Sequence, residues 1–208
     1  MPNRSAERQA RWQALAQQRG PGAWLLWPVS VAYGALLRLR QALFTAGVLQ
    51  SQRLSVPVIV VGNVVVGGAG KTPTVVALVR HLGAAGWRPG VVSRGYGRTA
   101  ADTVSVEAST PPEQSGDEPA LIRLATGVPV VVGRQRIDAA RALLAAHPDV
   151  NLIVCDDGLQ HLALARDLNV TVFDERGIGN GWLLPAGLLR EAWPPRVRHE
   201  AVPRLVLR

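Results

Sequence analysis

The sequence predicts an α/β fold in which a mainly parallel β-sheet is covered by helices on both faces. Short runs of apolar, β-branched residues alternate along the chain with stretches of helical periodicity, as is typical of parallel strands joined by crossover helices. The expected strands cover residues 56–61, 88–93, 128–132, 152–155 and 168–173. The expected helices cover residues 74–85, 119–125 and 137–146. In such sheets, ligands bind at the carboxyl ends of the strands.

Length and composition favour one globular core with an amino-terminal appendage. The chain has 208 residues, of which 48% are hydrophobic, and this is enough to bury one sizeable core. We therefore expect a core domain at residues 51–208 and a separate helical segment at residues 1–50. Residues 100–116 are rich in Ser, Thr, Pro and Gly, which indicates an exposed excursion with at most one short strand at 103–107. The lone cysteine, Cys155, excludes an internal disulfide.

The chain carries a net charge of +8 at pH 7. Positive potential suits nucleic acid, an anionic membrane surface or a phosphorylated substrate. Nucleic acid is the weakest of the three, because the tryptophans cluster near the amino terminus and near Pro194 instead of being interleaved with the basic residues.

The amino-terminal segment has the composition of a membrane-interface helix. Residues 20–37 are uncharged and include Trp24 and Trp27, and tryptophan suits the headgroup boundary. Internal prolines make a spanning helix a poor expectation. We therefore expect residues 20–50 to lie on a membrane surface through a stripe of four apolar side chains, Leu36, Leu39, Leu43 and Phe44. The alternative is an ordinary helix packed on the core.

A glycine-rich segment at residues 62–72 predicts a nucleotide-phosphate-binding loop, and hence a P-loop NTPase-like core. It joins an expected strand to an expected helix, and it contains the only lysine of the chain, Lys71, among 23 basic residues. The strict pattern requires glycine where Val65 stands. The backbone of the remaining loop still suits phosphate. We assign ATP to Gly67, Gly68, Ala69, Gly70, Lys71 and Thr72, and Mg²⁺ to the Thr72 hydroxyl.

Two carboxylates, Asp156 and Asp157, end the expected strand at 152–155. This is the position at which P-loop proteins hold Mg²⁺, although Asp-Asp-Gly is also an ordinary turn. The residues alone leave open which carboxylate contacts the ion. We place Asp156 with the metal and Asp157 with the catalytic groups.

Five motifs together resemble the tetraacyldisaccharide 4'-kinase family over residues 24–191. They are G-N-x-x-x-G-G-x-G-K-T-P at 62–73, S-R-G-Y-G-R at 93–98, G-D-E-P at 116–119, D-D-G-L-Q-H at 156–161 and G-N-G-W-L-L-P-A-G-x-L-R-E at 179–191. The resemblance implies an ATP- and Mg²⁺-dependent kinase on the cytoplasmic face of the bacterial inner membrane, peripheral or monotopic. Its substrate would be the 4'-hydroxyl of an acylated disaccharide phosphate lipid in lipid A biosynthesis.

The resemblance also implies roles for individual residues. Asp117 is the expected catalytic base, with a helix-capping role as the alternative. Glu191 is an expected Mg²⁺ ligand. His161 is expected to orient Asp157 or contact substrate, and a purely structural histidine is equally consistent with the sequence. The expected substrate-binding residues are Arg94, Tyr96 and Arg98.

Compared with this family, the chain is expected to lack a carboxy-terminal lobe that closes over the nucleotide. Residues 203–208 then predict a strand left without sheet neighbours, and the activity of the shortened chain is in question. A P-loop GTPase or ATPase switch, or a metallochaperone-type protein, is the rival function. A guanine-specific N-K-x-D motif is absent, because Lys71 is the only lysine. The sequence indicates no obligate protein partner.

Overall fold

The structure is a computed structural model, and it describes residues 12, 14–67, 70–98, 102–195 and 202–207. The helices are α1 (Pro21–Thr45), α2 (Lys71–Ala84), α3 (Pro112–Ser115), α4 (Asp117–Thr126) and α5 (Arg136–Ala146). The strands are β1 (Val58–Gly62), β2 (Pro89–Ser93), β3 (Val104–Ser105), β4 (Val130–Val132), β5 (Leu152–Asp156), β6 (Leu168–Val172) and β7 (Arg204–Leu207).

Within the described residues, the seven strands form one sheet in the order β3-β4-β2-β5-β1-β6-β7. All neighbouring strands are parallel except the short β3, which runs antiparallel to β4. The predicted mainly parallel α/β fold is confirmed. Since β2, β5 and β1 are adjacent in the centre of the sheet, the segments that follow them meet at its carboxyl edge.

Alternating side chains of the central strands form two apolar cores, one on each face of the sheet. Val58 and Val60 of β1 belong to the core that includes Leu143 of α5. Ile59 and Val61 belong to the opposite core, which includes Val75 of α2. Fully burying one such side chain contributes about 1.5–3 kcal/mol, so the two cores hold the strand ends, and hence the loops after them, in place.

One stripe of α1 packs against the loop at residues 182–190. Ser30 is buried, and its Oγ donates to the Leu183 carbonyl at 2.9 Å and accepts from the Ala186 N–H at 2.9 Å. A Cβ at Gly34 would lie 2.9 Å from Leu183 Cδ1, so the absence of a side chain at Gly34 allows this close approach. The alternative expectation, a helix packed on the core, therefore holds for one side of α1.

The other side of α1 exposes large apolar side chains. The exposed fraction is 81% for Leu25, 65% for Leu36 and 57% for Leu39, whereas Leu43 and Phe44 are half-buried. The expected stripe is thus divided between solvent and protein. The apolar exposed face instead follows Leu25, Val29 and Leu36 at helical spacing.

Although its prolines make a spanning helix a poor expectation from the sequence, this segment is not broken at Pro28. Helix α1 is continuous for 25 residues and passes through Pro28. By length and composition it is long and apolar enough to cross a membrane. Core helices of soluble proteins and signal sequences meet the same criterion.

The prediction that the strand at 203–208 has no sheet neighbour is wrong. Strand β7 pairs in parallel with β6, with Asn169 opposite Arg204 and Val172 opposite Leu207. The physical reason is that β6 would otherwise present a row of unpaired backbone groups at the sheet edge. For example, the Phe173 N–H donates to the Leu207 carbonyl at 2.9 Å.

Candidate active site at the carboxyl edge of the sheet

The phosphate loop connects β1 to α2 at the centre of the carboxyl edge. Of its predicted residues, Gly68 and Ala69 lie outside the described residues. Gly67 and Gly70 have φ angles of +105° and +70°, which L-residues with side chains rarely adopt. Since Lys71 begins α2, the positive end of the helix dipole adjoins the loop.

Lys71 is buried, with 8% of its surface exposed. Its Nζ lies 3.4 Å from Asn63 Oδ1 and 3.7 Å from Asp157 Oδ1. The neighbouring Thr72 is also nearly buried. The single lysine of the chain is thus held at the mouth of the loop by one neutral and one charged partner.

Val65 occupies the glycine position of the strict pattern because this part of the loop is strand-like. It is fully buried and forms an antiparallel bridge with Leu189. The Val66 N–H donates to the Leu188 carbonyl at 2.9 Å, and the Arg190 N–H donates to the Val64 carbonyl at 2.7 Å. An extended residue needs no left-handed φ, so a β-branched side chain is accepted here.

Asp156 ends β5 as a buried carboxylate. Its Oδ2 accepts from Ser93 Oγ at 3.0 Å, while its Oδ1 has no hydrogen-bond partner in the described part of the chain. Burial raises the pKa of Asp156 to about 6. A buried carboxylate with an unpaired oxygen is suited to a cation, which supplies the charge that the site lacks.

These side chains are better suited to Mg²⁺ than to a metal ion whose ligands all come from the protein. Among the described residues, no three His, Cys, Asp or Glu side chains cluster as a complete metal site. Mg²⁺ usually keeps several waters and binds through one or two carboxylates together with substrate phosphates. Asp156 and the Thr72 hydroxyl, beside a phosphate loop, are consistent with that mode.

Asp157 adopts a left-handed backbone conformation, with φ of +49°. Both of its carboxylate oxygens accept from Arg190 Nη1, at 3.1 and 3.2 Å, and its backbone carbonyl accepts from Arg136 Nη2 at 3.3 Å. Arg190 is fixed in turn, since its carbonyl accepts from the Tyr33 hydroxyl of α1 at 2.9 Å. Arg190 therefore orients the carboxylate of Asp157, while Arg136 holds the backbone of the same residue.

Glu191 follows Arg190 in the chain, and its side chain contacts Gln160. Burial raises the pKa of its carboxyl, and a hydrogen bond from Gln160 and the charge of Arg204 act in the opposite direction. Gln160 Nε2 lies 3.4 Å from Glu191 Oε1 and 3.3 Å from the Asn63 carbonyl. One amide thus joins the expected metal ligand to the beginning of the phosphate loop.

The loop after β2 packs against the start of α4, where Asp117 lies. A Cβ at Gly95 would lie 2.6 Å from the Ser115 carbonyl oxygen, and one at Gly116 would lie 2.9 Å from the Tyr96 carbonyl oxygen. Both positions therefore require glycine. This close approach brings the loop that carries Arg94, Tyr96 and Arg98 to the first residue of α4.

Asp117 and the three predicted substrate-binding side chains face solvent to different degrees. Asp117 and Arg94 are exposed, and Tyr96 is 85% exposed. Arg98 Nη1 donates to the Asp102 carbonyl at 2.6 Å. The predicted residues thus share one open region of the carboxyl edge, which is accessible to a large substrate.

His161 is half-buried, and no hydrogen bond joins its ring to Asp157 among the described residues. Burial lowers its pKa to about 4, assisted by the positive charges of Arg136, Arg40, Arg166 and Arg94. The imidazole is therefore neutral at pH 7.

Four side chains that organise the site were not singled out as functional from the sequence: Asn63, Arg136, Gln160 and Arg166. Arg166 is buried and donates to the carbonyls of Gly158, Leu159, His161 and Leu164. It thereby fixes the turn that follows Asp157. Asn63 and Gln160 do lie within the quoted motifs, whereas the two arginines carry no local signal.

A parallel α/β sheet with a glycine-rich loop between its central strand and a helix, and with carboxylates ending the adjacent strand, defines a phosphate-loop nucleotide-binding protein. Comparison with known proteins identifies the family within this class. The family model described as tetraacyldisaccharide-1-P 4'-kinase matches residues 22–204. The chain belongs to this family.

Similar proteins bear the same description. A tetraacyldisaccharide 4'-kinase of Acidovorax sp. (strain JS42) is 60% identical over 196 residues, covering 94% of this chain and 58% of that protein. The tetraacyldisaccharide 4'-kinase of Polaromonas naphthalenivorans (strain CJ2) is 60% identical over 187 residues, covering 90% and 53%. The chain thus spans little more than half the length of these relatives.

A solved structure is similar as well. The crystal structure of LpxK from Aquifex aeolicus in complex with ATP superimposes with a TM-score of 0.74 at 36% identity, covering 81% of this chain and 54% of that one. The P-loop kinase fold expected from the sequence is confirmed.

The depressed pKa of His161 predicts a pH-dependent stability. The imidazole takes up a proton near pH 6.5 in the unfolded chain but only near pH 4 in the folded one. The free energy of unfolding therefore falls as the pH drops from about 6.5 towards about 4. Replacing the ring by an uncharged amide in His161→Gln removes this contribution.

Thermal melts at pH 7.5 and pH 5 measure the difference. The fall in Tm between the two pH values is expected to be larger for the wild type than for His161→Gln. The raised pKa of Asp156 acts with the opposite sign over part of this range, but it is common to both proteins. Equal falls in Tm for the two proteins would contradict a half-buried His161 that is neutral in the folded chain.

Proposed function

We propose that this chain is the nucleotide-binding part of an ATP-dependent kinase that phosphorylates the 4'-hydroxyl of a tetraacyldisaccharide 1-phosphate, a step in lipid A biosynthesis. The observation that carries the proposal is that Lys71, at the end of the phosphate loop, meets the carboxylates that end β5, Asp156 and Asp157, in a chain of this family. The relatives' names supply the substrate, and the name of the Aquifex aeolicus structure supplies ATP.

The proposed role of the phosphate loop is to bind and orient the triphosphate. Lys71 Nζ reaches the β- and γ-phosphates, and the amino-terminal end of α2 adds its positive dipole. Binding replaces the contact of Lys71 with Asp157 by contacts with phosphate, while the neutral Asn63 keeps its contact with Nζ. Since Arg190 already neutralises Asp157, that carboxylate is not left unpaired.

The proposed Mg²⁺ ligands are the Thr72 hydroxyl, Asp156 and Glu191. When bound, the ion neutralises charge on the phosphates and on the departing ADP. The unpaired Asp156 Oδ1 supports this assignment.

The proposed catalytic base is Asp117. It accepts the proton of the 4'-hydroxyl as the hydroxyl oxygen takes the γ-phosphoryl group from ATP, and ADP leaves. Its position at the exposed first turn of α4 leaves room for a lipid-linked sugar. Arg94, Tyr96 and Arg98, on the loop packed against that turn, are proposed to grip sugar or phosphate. Asp157 and a neutral His161 are proposed to support the transfer.

The proposed location is the cytoplasmic face of the bacterial inner membrane. The exposed apolar side of α1 and the excess of arginine support attachment to an anionic lipid surface. We propose residues 1–50 as the membrane-binding segment and residues 51–208 as the kinase core. The hydrogen bond from Tyr33 of α1 to the Arg190 carbonyl supports a membrane-binding segment close to the site.

Phosphoryl transfer is tested directly by incubating the chain with ATP, Mg²⁺ and the tetraacyldisaccharide 1-phosphate. Mass spectrometry is expected to detect a product heavier by one phosphate group. Asp117→Ala is expected to lower kcat by about a hundredfold or more, the contribution typical of a general base, while ATP binding changes little.

Asp138→Ala is the matched control, since Asp138 is also an exposed acid in the first turn of a helix. It is expected to retain the wild-type rate. Absence of the bisphosphate product from the wild-type reaction contradicts activity of this chain. Equal rates for the wild type and Asp117→Ala remove Asp117 from the mechanism.

Membrane attachment is tested by flotation with liposomes that contain anionic lipid. The double variant Leu25→Glu/Leu36→Glu places two charges on the exposed side of α1. Since each buried leucine contributes about 1.5–3 kcal/mol, partitioning is expected to fall about a hundredfold or more.

The control for flotation is Leu121→Glu/Leu124→Glu, which alters two exposed leucines of α4. This control is expected to float like the wild type. If the α1 variant also floats like the wild type, α1 is not the attachment site.

A further inference from the structure

Asn63 lies between β1 and the phosphate loop and is fully buried. Its side-chain amide spans the loop from beginning to end. Nδ2 donates to the Gly67 carbonyl at 3.0 Å, and Oδ1 accepts from Lys71 Nζ at 3.4 Å. The residue therefore contacts both the glycine turn and the lysine on which phosphate binding depends.

Both contacts require a side chain that carries a hydrogen-bond donor and an acceptor on the same terminal group. The amide provides both, whereas an ionised carboxylate accepts only. The contact with Lys71 is also uncharged. A neutral partner satisfies one ammonium proton of a buried lysine without cancelling the positive charge that phosphate requires.

The contact with Gly67 affects the loop itself. Bridging to Leu188 and Leu189 fixes the loop as far as Val66, so Gly67 is the first residue beyond that bridge. Its carbonyl oxygen, engaged by the Asn63 amide, is not available to repel phosphate oxygens. Asn63 thus compensates for the departure of this loop from the strict glycine pattern.

A further contact fixes Asn63. Its backbone carbonyl accepts from Gln160 Nε2 at 3.3 Å, and Gln160 also contacts Glu191. The backbone of Asn63 is therefore held by the turn that follows the two carboxylates.

We propose that Asn63 is a positioning residue of the phosphate loop, which holds Lys71 and the Gly67 carbonyl in the arrangement that receives the β- and γ-phosphates of ATP. This inference rests on the proposed nucleotide-binding function. Asn63 acts through Lys71 and the loop, so its loss weakens ATP binding while leaving the fold intact.

The test measures the Kd for ATP in the presence of Mg²⁺ by calorimetry, with thermal melts of every variant. Asn63→Ala is expected to raise the Kd about tenfold, the effect of losing one hydrogen bond to a charged group. Asn63→Asp keeps the size of the side chain but removes the donor and pairs Lys71 with a negative charge. It is expected to raise the Kd at least as much. It replaces Asn63→Ala in the test if the alanine variant is unstable.

A double-mutant cycle separates positioning from general damage to the fold. In the Lys71→Ala background, Asn63→Ala is expected to raise the Kd by a clearly smaller factor than in the wild type, because the part of its effect that acts through Lys71 is gone. Asn151→Ala is the matched control, since Asn151 Oδ1 likewise accepts a hydrogen bond, from the Arg88 N–H at the other edge of the sheet. Its Kd is expected to equal that of the wild type.

Two results overturn the inference: an unchanged Kd in folded Asn63→Ala and Asn63→Asp, or the same loss with and without Lys71. Neither result bears on whether the wild type transfers the phosphoryl group to the lipid. Conversely, failure to form the lipid bisphosphate contradicts the proposed transfer but not the role of Asn63 in ATP binding. A wild-type chain that does not bind ATP overturns both proposals.

Discussion

The parallel pairing of β1 with β5 is the constraint on which the site depends. Val61 lies opposite Asp156 in the register of these strands. The loop that follows β1 and the carboxylates that end β5 consequently emerge side by side. On the other side of β5, β2 brings Ser93 to Asp156. A slip of one residue in either pairing would turn the Asp156 side chain to the other face and separate these groups.

The charges of the site are balanced so that phosphate can enter. Asp157 is paired with Arg190, which leaves Lys71 with the neutral Asn63 as its nearest partner. Asp156 retains an unpaired buried oxygen. Both features disfavour the empty site slightly and favour a state in which phosphate meets Lys71 and a cation meets Asp156. Helix α1 adjoins this arrangement through the Tyr33–Arg190 contact, so the proposed membrane attachment and the proposed chemistry share one segment of backbone.

The parallel fold, the phosphate loop and the pair of carboxylates could be predicted from the sequence, because each depends on local pattern. Apolar runs mark the strands, glycines mark the loop, and Asp156 and Asp157 follow an apolar strand directly. Other features depend on contacts that are distant in sequence. Arg166 acts on backbone carbonyls, which any residue supplies, so composition gives no indication of it. The role of Asn63 could be recognised only from the geometry of the loop. The pairing of β7 could be recognised only from the position of the sheet edge. Helix α1 passes through Pro28 although proline usually ends a helix.

Hydrogen–deuterium exchange with and without ATP and Mg²⁺ reports which edge of the sheet receives the nucleotide. Added protection is expected in the segments at 62–75, 155–162 and 188–191, which meet at the carboxyl edge. The opposite edge has a cleft of about 670 Å³ lined by residues that include Trp87, Pro129 and His147, and protection there is predicted to stay unchanged. Protection confined to that opposite cleft would contradict nucleotide binding at the carboxyl edge.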